Sequence, residues 1–322
     1  MMIDCLDPSV RLMGRWYRIN GKAVEAAPGT YFQIAFQGQD LVMHFKVDLL
    51  LQPRPHLWVS VDGGDRVEVP LDKLLRVHTK TGGNHVVEVI HKSSIENAPR
   101  WFGPLVTRVE LLGYEADAPG VLPEMNKKTI EFVGDSITEG VLVDHETGND
   151  ITWEERPYQD DSAATYAWRT AEKLDFAPVI MGYGAVGVTK SGCGSVPPAA
   201  EAYPYCFDDA PIPYKNCDYI VINHGTNDRG KPVELFTQRY NDLLDVVCAH
   251  NPESRIVIVT PFCGAWDKEL KEIAENYTEK TGRKIEYICT TGWISPERIH
   301  PDREGHETVA THLAEELRKL GV

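Results

Sequence analysis

The sequence predicts an α/β fold: a three-layer αβα domain on a five-stranded parallel sheet, preceded by an N-terminal antiparallel β-sandwich of jelly-roll type. Two observations predict this division. The first third of the 322-residue chain alternates apolar and polar residues with a period of two, whereas the remainder alternates continuous apolar runs with segments of helical periodicity. The length agrees with two domains, at about 150 residues for each.

The predicted sandwich occupies residues 1–117. Alternation over short segments means that one face of each strand is buried. The segment Asp62–Asp65 reads Asp-Gly-Gly-Asp, which favours the positive φ angles of a tight hairpin turn. The alternating segments are 31–38, 41–48, 57–71, 85–92 and 106–115. Many short strands separated by turns are typical of a sandwich or jelly roll.

A segment without buried-face periodicity, rich in alanine and proline, follows the last of these strands. We place a linker at 118–128 and the second domain at 129–322. The predicted parallel strands are 129–135, 177–183, 218–225, 255–262 and 284–290, and the predicted helices between and after them are 162–174, 233–250, 266–280 and 305–320. This alternation predicts a doubly wound sheet with helices on both faces.

The composition disfavours several classes of function. With 33 Lys and Arg against 48 Asp and Glu, the net charge of −15 repels nucleic acid and anionic membranes. No apolar run approaches the roughly 18 to 20 residues of a membrane-spanning helix, and the first residues do not resemble a signal peptide, so we expect a cytoplasmic protein. Seven scattered cysteines without a CxxC motif predict free thiols.

Four short polar segments follow the predicted strands, at the edge of the sheet where open parallel sheets bind ligands. The first three are Gly134–Thr138, Gly182–Gly187 and His224–Asp228. The fourth, Glu297–Pro301, lies before the last predicted helix. Because the carboxyl ends of parallel strands share one edge, we expect these segments to meet.

Together, in this order, the four segments resemble the four sequence blocks of the SGNH hydrolases, also called the GDSL esterase superfamily. With an N-terminal β-sandwich, the chain is similar to carbohydrate esterase family 2, whose members remove O-acetyl groups from plant polysaccharides and oligosaccharides. The resemblance implies a serine esterase that works without metal or organic cofactor.

The resemblance assigns Ser136 as the nucleophile and His300 as the general base. A serine hydroxyl is unreactive at neutral pH unless a base takes its proton, and imidazole, with a pKa near 6.5, can take the proton and return it to a leaving alcohol. The alternative for the first block is that Asp135 and Ser136 only cap the following helix.

By the same resemblance, the oxyanion donors are the N–H groups of Ser136 and Gly187 and the side-chain amide of Asn227. Gly184 is the alternative to Gly187, and Asn227 could instead be a turn residue. We expect Asp228 to secure its loop rather than to contact substrate.

The third member of the triad is where the sequence departs from the superfamily pattern. Glu297 stands where an Asp is usual, three residues before His300. Glutamate can orient a catalytic histidine in serine hydrolases of other folds. The competing interpretation is a backbone carbonyl between Trp293 and Pro296.

We therefore expect an enzyme that hydrolyses small acyl esters on saccharides, above all O-acetyl esters, through a covalent acyl-enzyme. The expected substrate is an acetyl ester of a small molecule or an oligosaccharide, with no nucleic acid or membrane partner; the sequence specifies no oligomeric state. An acidic insertion at 145–161 is either a solvated face or a rim of the pocket; as a rim, its carboxylates disfavour anionic substrates and so favour neutral sugars. The alternatives are a lipase, phospholipase or thioesterase of the same superfamily, and a non-catalytic glycan-binding protein.

Overall fold

Two antiparallel sheets form the N-terminal part of the protein. The computed structural model describes residues 1–48, 50, 52–146, 149, 151–213, 216–295 and 297–322. The N-terminal strands are β1 (Met2–Asp4), β2 (Val10–Met13), β3 (Tyr17–Ile19), β4 (Lys22–Glu25), β5 (Tyr31–Gln37), β6 (Asp40–Phe45), β7 (His56–Val61), β8 (Val67–Pro70), β9 (Leu74–His78), β10 (Asn84–Ser93), β11 (Val109–Glu115) and β12 (Ala118–Pro119).

The two sheets bury the faces that the period of two predicts. One sheet has the order β3-β4-β11-β6-β9, with β1 beside β11, and the other has the order β12-β5-β10-β7-β8, with β2 beside β5. Alternate residues of the central strands fill the space between them: Phe32, Ile34, Phe36, Leu41, Met43, Phe45, Val87, Val89, Val109 and Leu111. The predicted β-sandwich is confirmed.

The segment after Val61 makes the predicted hairpin turn. Asp62 and Gly63 have φ angles of 50° and 72°, and β7 pairs with β8 in antiparallel register. The segment after β11 is partly regular, because Ala118 and Pro119 pair with β5. The sandwich sheet thus extends two residues into the segment that the sequence assigns to the linker.

A parallel sheet with helices on both faces forms the rest of the protein. Its strands have the order β14-β13-β17-β18-β19, and β15 and β16 form a separate hairpin. The elements are β13 (Thr129–Gly134), α1 (Ser136–Glu139), α2 (Arg156–Gln159), α3 (Tyr166–Leu174), β14 (Ala177–Gly182), α4 (Ala199–Ala202), β15 (Tyr205–Phe207), β16 (Ala210–Pro211), β17 (Tyr219–Asn223), α5 (Val233–His250), β18 (Arg255–Val259), α6 (Asp267–Thr281), β19 (Ile285–Ile288) and α7 (Arg303–Lys319). The predicted five-stranded αβα architecture is confirmed.

Alternate residues of the parallel strands pack against different helix layers. One face of the sheet, with Val133, Ile222 and Ile258, packs against α5 and α6. The other face, with Phe132 and Val257, packs against α3 and α7. Burial on both faces explains why these strands read as continuous apolar runs. None of the described helices combines the length and the apolar character needed to cross a membrane.

The sandwich docks on the parallel sheet through close backbone contact and buried polar groups. A side chain at Gly29, where φ is 87°, would lie 2.7 Å from Ile180 of β14. Arg15 of the sandwich is fully buried and pairs at 2.9 Å with the buried Glu131 of β13. The ammonium of Lys92 donates to the backbone oxygens of Pro157 and Asp160, both at 2.8 Å. These contacts fix the two domains to each other.

We predict that Arg15→Met lowers the free energy of unfolding by about 3 to 5 kcal/mol, because removing one partner of a buried ion pair leaves a charge in a medium that cannot solvate it. Urea denaturation followed by circular dichroism measures the change. Arg239→Met is the matched control, since Arg239 pairs with Asp242 on the exposed face of α5, and we expect a change within about 0.5 kcal/mol there. Equal losses in the two variants would contradict the prediction.

Candidate active site

The turn after β13 places Ser136 at the first position of α1. Asp135 caps this helix, because its Oδ1 accepts from the N–H of Ile137 at 3.0 Å. Glycines on either side permit the tight turn: a side chain at Gly134 would lie 2.1 Å from Oγ1 of Thr138, and one at Gly140 would lie 2.4 Å from the oxygen of Asp161. The same turn therefore both caps the helix and places the buried Ser136 at the edge of the sheet.

His300 reaches this serine from the far end of the chain. Its Nε2 lies 2.8 Å from Oγ of Ser136, across a sequence separation of 164 residues. The loop that carries His300 is held by Arg298, which donates to the backbone oxygens of Leu142 and His145 at 3.2 and 2.7 Å. The pair has the geometry required for proton transfer from hydroxyl to imidazole.

The pKa of His300 is lowered from its ordinary value, chiefly because burial disfavours the charged imidazolium. The carboxylate of Glu96 acts in the opposite direction and raises the pKa, whereas the guanidinium groups of Arg156 and Arg298 lower it. A lowered pKa keeps the imidazole neutral at neutral pH, which is the form that accepts a proton.

Asn227 lies at the turn that holds Ser136. Its Nδ2 donates to Oδ2 of Asp135 and to the backbone oxygen of Val186, both at 3.1 Å. The carboxyl group of Asp135 is fully buried, and this burial, reinforced by the charge of Asp228, raises its pKa to about 7. The N–H of Ser136 lies in the first turn of α1, where backbone N–H groups have no acceptor within the helix. The structure thus brings Ser136, His300 and Asn227 together.

Gly187 contacts Asp228. A side chain at Gly187 would lie 2.5 Å from Oδ1 of Asp228, so the close approach of this carboxylate requires a glycine there. Asp228 accepts from the N–H groups of Val188 and Thr189 at 3.1 and 2.8 Å, as expected for a residue that secures the loop. The N–H of Gly187 itself donates to the oxygen of Lys190 at 3.1 Å. Its oxyanion role stays a prediction.

The structure does not bring Glu297 to His300. Glu297 is exposed, its N–H donates to Oγ of Ser295, and no hydrogen bond or ion pair joins its carboxylate to the imidazole within the described part of the chain. The charged carboxylate of Glu297 lies at the exposed surface, where water solvates it. In the alternative interpretation, Pro296 lies outside the described residues, and no described hydrogen bond joins His300 to a carbonyl of residues 293–295.

Two charged residues near His300 are absent from the sequence prediction. Glu96 belongs to the segment between β10 and β11 of the sandwich, and a side chain at Gly184 would lie 2.3 Å from its Oε2. Arg156, at the start of α2, donates to Oε1 of Glu96 at 3.3 Å and to Asp160 at 3.2 Å. A contact between two domains leaves no periodicity or motif in the sequence. The sequence does distinguish Arg156, because it is the only Lys or Arg in the acidic insertion at 145–161.

The acidic insertion is only partly a solvated face. Thr147, Gly148 and Asp150 lie outside the described residues. Asp160 and Asp161 at its end are buried, and burial raises the pKa of Asp160 to about 7. The insertion therefore includes part of the domain contact.

The described residues contain no group of three or more His, Cys, Asp or Glu side chains able to hold a metal ion.

Comparison with known proteins agrees with the four sequence blocks. The sequence model of the GDSL-like Lipase/Acylhydrolase family matches residues 132–308, which include all four blocks. An acetylxylan esterase / glucomannan deacetylase of Cellvibrio japonicus is 24% identical over 351 aligned residues, covering 99% of this chain and 90% of that protein. The resemblance predicted from the sequence is confirmed.

Solved structures share the architecture of both domains. A family two carbohydrate esterase from Cellvibrio japonicus has a TM-score of 0.82 at 20% identity, covering 99% of this chain and 97% of that one. A family two carbohydrate esterase from Clostridium thermocellum, in complex with cellohexaose, has a TM-score of 0.79 at 20% identity, covering 97% and 99%. This likeness concerns the fold.

We predict that Glu96→Gln lowers the pKa of His300 further below its ordinary value. The carboxylate of Glu96 stabilises the imidazolium, so its removal leaves the opposing charges of Arg156 and Arg298 unbalanced. NMR titration of the protein with isotope-labelled histidine measures the shift. Glu115→Gln, which alters an exposed glutamate of the same domain paired with His44, should leave the titration of His300 unchanged. A rise in the pKa of His300 in Glu96→Gln would contradict the prediction.

Proposed function

The chain belongs to the GDSL-like lipase/acylhydrolase family, and from this membership we propose that it is a serine esterase that hydrolyses small acyl esters, above all O-acetyl groups on saccharides. The observation that carries the proposal is the 2.8 Å hydrogen bond between Nε2 of His300 and Oγ of Ser136. A hydroxyl bonded to a neutral imidazole at a helix N-terminus is activated for attack on a carbonyl carbon.

In the first step, Oγ of Ser136 attacks the ester carbonyl carbon while His300 takes the hydroxyl proton. The carbonyl oxygen becomes an anion, which the N–H of Ser136 stabilises from the first turn of α1. Asn227 and Gly187 contribute when they exchange their present hydrogen bonds, to Val186 and Lys190, for bonds to the oxyanion. Each such donor supplies about 2.7 to 4 kcal/mol of transition-state stabilisation.

The tetrahedral intermediate then collapses. The bond from the carbonyl carbon to the saccharide oxygen breaks, and the imidazolium of His300 returns its proton to that oxygen, which leaves as an alcohol. The acyl group remains on Oγ of Ser136 as an ester. Water attacks this acyl-enzyme while His300 takes a proton from the water. In the collapse of the second intermediate, the bond from the carbonyl carbon to Oγ of Ser136 breaks and the imidazolium returns its proton to Oγ, which releases the carboxylic acid and restores the serine.

The surroundings of the pair support a short acyl group. Glu96, Arg156 and Arg298 are charged side chains that act on His300. A long apolar chain beside these groups would displace the water that solvates them, at a cost in free energy. The substrate class is supported by the name of the relative from Cellvibrio japonicus, an acetylxylan esterase / glucomannan deacetylase. The net charge of −15 favours a neutral saccharide over an anionic one.

We predict that Ser136→Ala folds normally and loses about a thousandfold or more of the hydrolysis rate of p-nitrophenyl acetate, because the variant lacks the hydroxyl that is bonded to His300. Ser191→Ala, at an exposed serine beyond the second block, is the matched control and should keep the wild-type rate. Circular dichroism verifies the fold of both variants. A Ser136→Ala protein that retains more than about a tenth of the rate would refute the nucleophile assignment.

We predict that the rate with p-nitrophenyl esters falls as the acyl chain lengthens, because the charged side chains around His300 disfavour an apolar chain. Acetate release from acetylated xylo-oligosaccharides and manno-oligosaccharides identifies the alcohol part of the substrate. A rate that peaks at chains of about eight carbons or more would instead favour a lipase or thioesterase. Saturable oligosaccharide binding without hydrolysis of any ester would favour a non-catalytic glycan-binding protein.

A further inference from the structure

The segment between β10 and β11 leaves the sandwich and packs against the catalytic domain. The N–H of Arg100 donates to the oxygen of Gly194 at 3.3 Å. Gly194 has a φ of 62°, and a side chain there would lie 2.5 Å from the oxygen of Ala98. Trp101 packs edge-on against Tyr183, which directly follows β14. The sandwich therefore contacts the loop that contains the second sequence block.

Arg100 extends this contact beneath the site. Its guanidinium Nη1 lies 2.5 Å from Oε1 of Glu139, and the two side chains are 0% and 2% exposed. Glu139 is the last residue of α1, three positions after Ser136. Burial raises the pKa of Glu139, and the charge of Arg100 opposes that rise. The arginine thus favours the ionised form of a carboxylate that would otherwise be costly to bury.

The second oxygen of Glu139 holds the loop of the second block. Oε2 accepts from the N–H of Gly184 at 2.7 Å. Two residues later, the oxygen of Val186 accepts from Nδ2 of Asn227, whose amide also donates to Asp135. A continuous series of contacts therefore runs from Arg100 in one domain to the residue that precedes the nucleophile in the other.

We propose that Arg100 is a positioning residue for ester hydrolysis: its guanidinium fixes the carboxylate of Glu139, which holds the loop from Gly184 to Gly187 in place beside the oxyanion donors. The inference rests on the proposed function and adds to it that the N-terminal domain is part of the catalytic apparatus. Displacement of this loop by about 1 Å would cost roughly a hundredfold in rate, because oxyanion stabilisation depends on donors that are already aligned.

The test compares the full-length wild type with Arg100→Met, Arg100→Met/Glu139→Gln and, as matched control, Arg66→Met. Arg66 also joins the domains, by a 3.3 Å contact with Glu172 of α3, but both side chains are partly exposed. For each protein, kcat and KM for p-nitrophenyl acetate, the rate of serine labelling by a small fluorophosphonate, and the thermal midpoint are measured.

We expect Arg100→Met to lose about 10- to 100-fold in kcat and in labelling rate, with KM within about twofold of the wild type. The double variant should recover several-fold in kcat over Arg100→Met, since the glutamine side chain that replaces Glu139 is neutral and its amide oxygen can still accept from the N–H of Gly184. Arg66→Met should keep the wild-type kcat. A residue that only stabilises the fold would lower the thermal midpoint and leave kcat unchanged in the folded protein.

If Arg100→Met does not fold, Arg100→Lys replaces it, because lysine keeps the charge but loses the planar fork of the guanidinium. We expect this variant to fold and to lose about 3- to 10-fold in kcat. A folded Arg100→Met or Arg100→Lys protein with kcat within about twofold of the wild type would overturn the inference, as would a double variant no faster than Arg100→Met.

Measurements on the wild type distinguish a failure of this inference from a failure of the proposed function. If the wild type hydrolyses esters and is labelled, and the Arg100 variants match it in both rates, then only the positioning role is overturned. A wild-type protein that neither hydrolyses any ester nor reacts with the fluorophosphonate overturns the proposed function, and the positioning role with it.

Discussion

The site depends on one hydrogen bond, between His300 and Ser136, and that bond depends on how the parallel sheet is packed. The serine is fixed locally, because the glycines at 134 and 140 admit backbone and side chains that a larger residue would exclude. The histidine depends on tertiary contacts, since its loop is tied by Arg298 to the segment that follows α1. A shift between β13 and α7 would therefore separate the pair without altering either residue.

The sandwich is bound to the catalytic domain by buried polar groups as well as by apolar packing. Arg15 and Arg100 each enter the other domain fully buried and pair there with a buried glutamate. Such pairs contribute little net free energy compared with apolar packing, but each is costly to break, so they favour one relative placement of the domains over others. The same placement brings Glu96 close enough to His300 for its carboxylate to oppose the lowering of the histidine pKa.

The elements that the sequence predicts well are those whose signal is local. The parallel strands are apolar because both faces are buried, and the helix predicted at 233–250 is found as α5 at Val233–His250. Strands of three or four residues such as β1 and β3 carry too few alternations to be recognised. The buried state of Asp160 and Asp161 also escapes prediction, because a run of acidic residues resembles a solvated face until the arginines and backbone groups that meet it are known.

Among the predicted site residues, Ser136 and Asn227 are placed by the turns that follow β13 and β17, whereas the placement of His300 and Glu297 depends on the path of a loop that no pattern specifies. Because Glu297 is exposed, other groups determine the pKa of His300. Burial and two arginines disfavour the imidazolium, and Glu96 is the carboxylate that opposes them. A base in this setting is neutral and ready to accept a proton, yet the imidazolium it forms in the transition state also needs stabilisation. In the proposed mechanism, part of that stabilisation comes from the carboxylate of Glu96 on the other domain, so the proton affinity of His300 depends on how the two domains are docked.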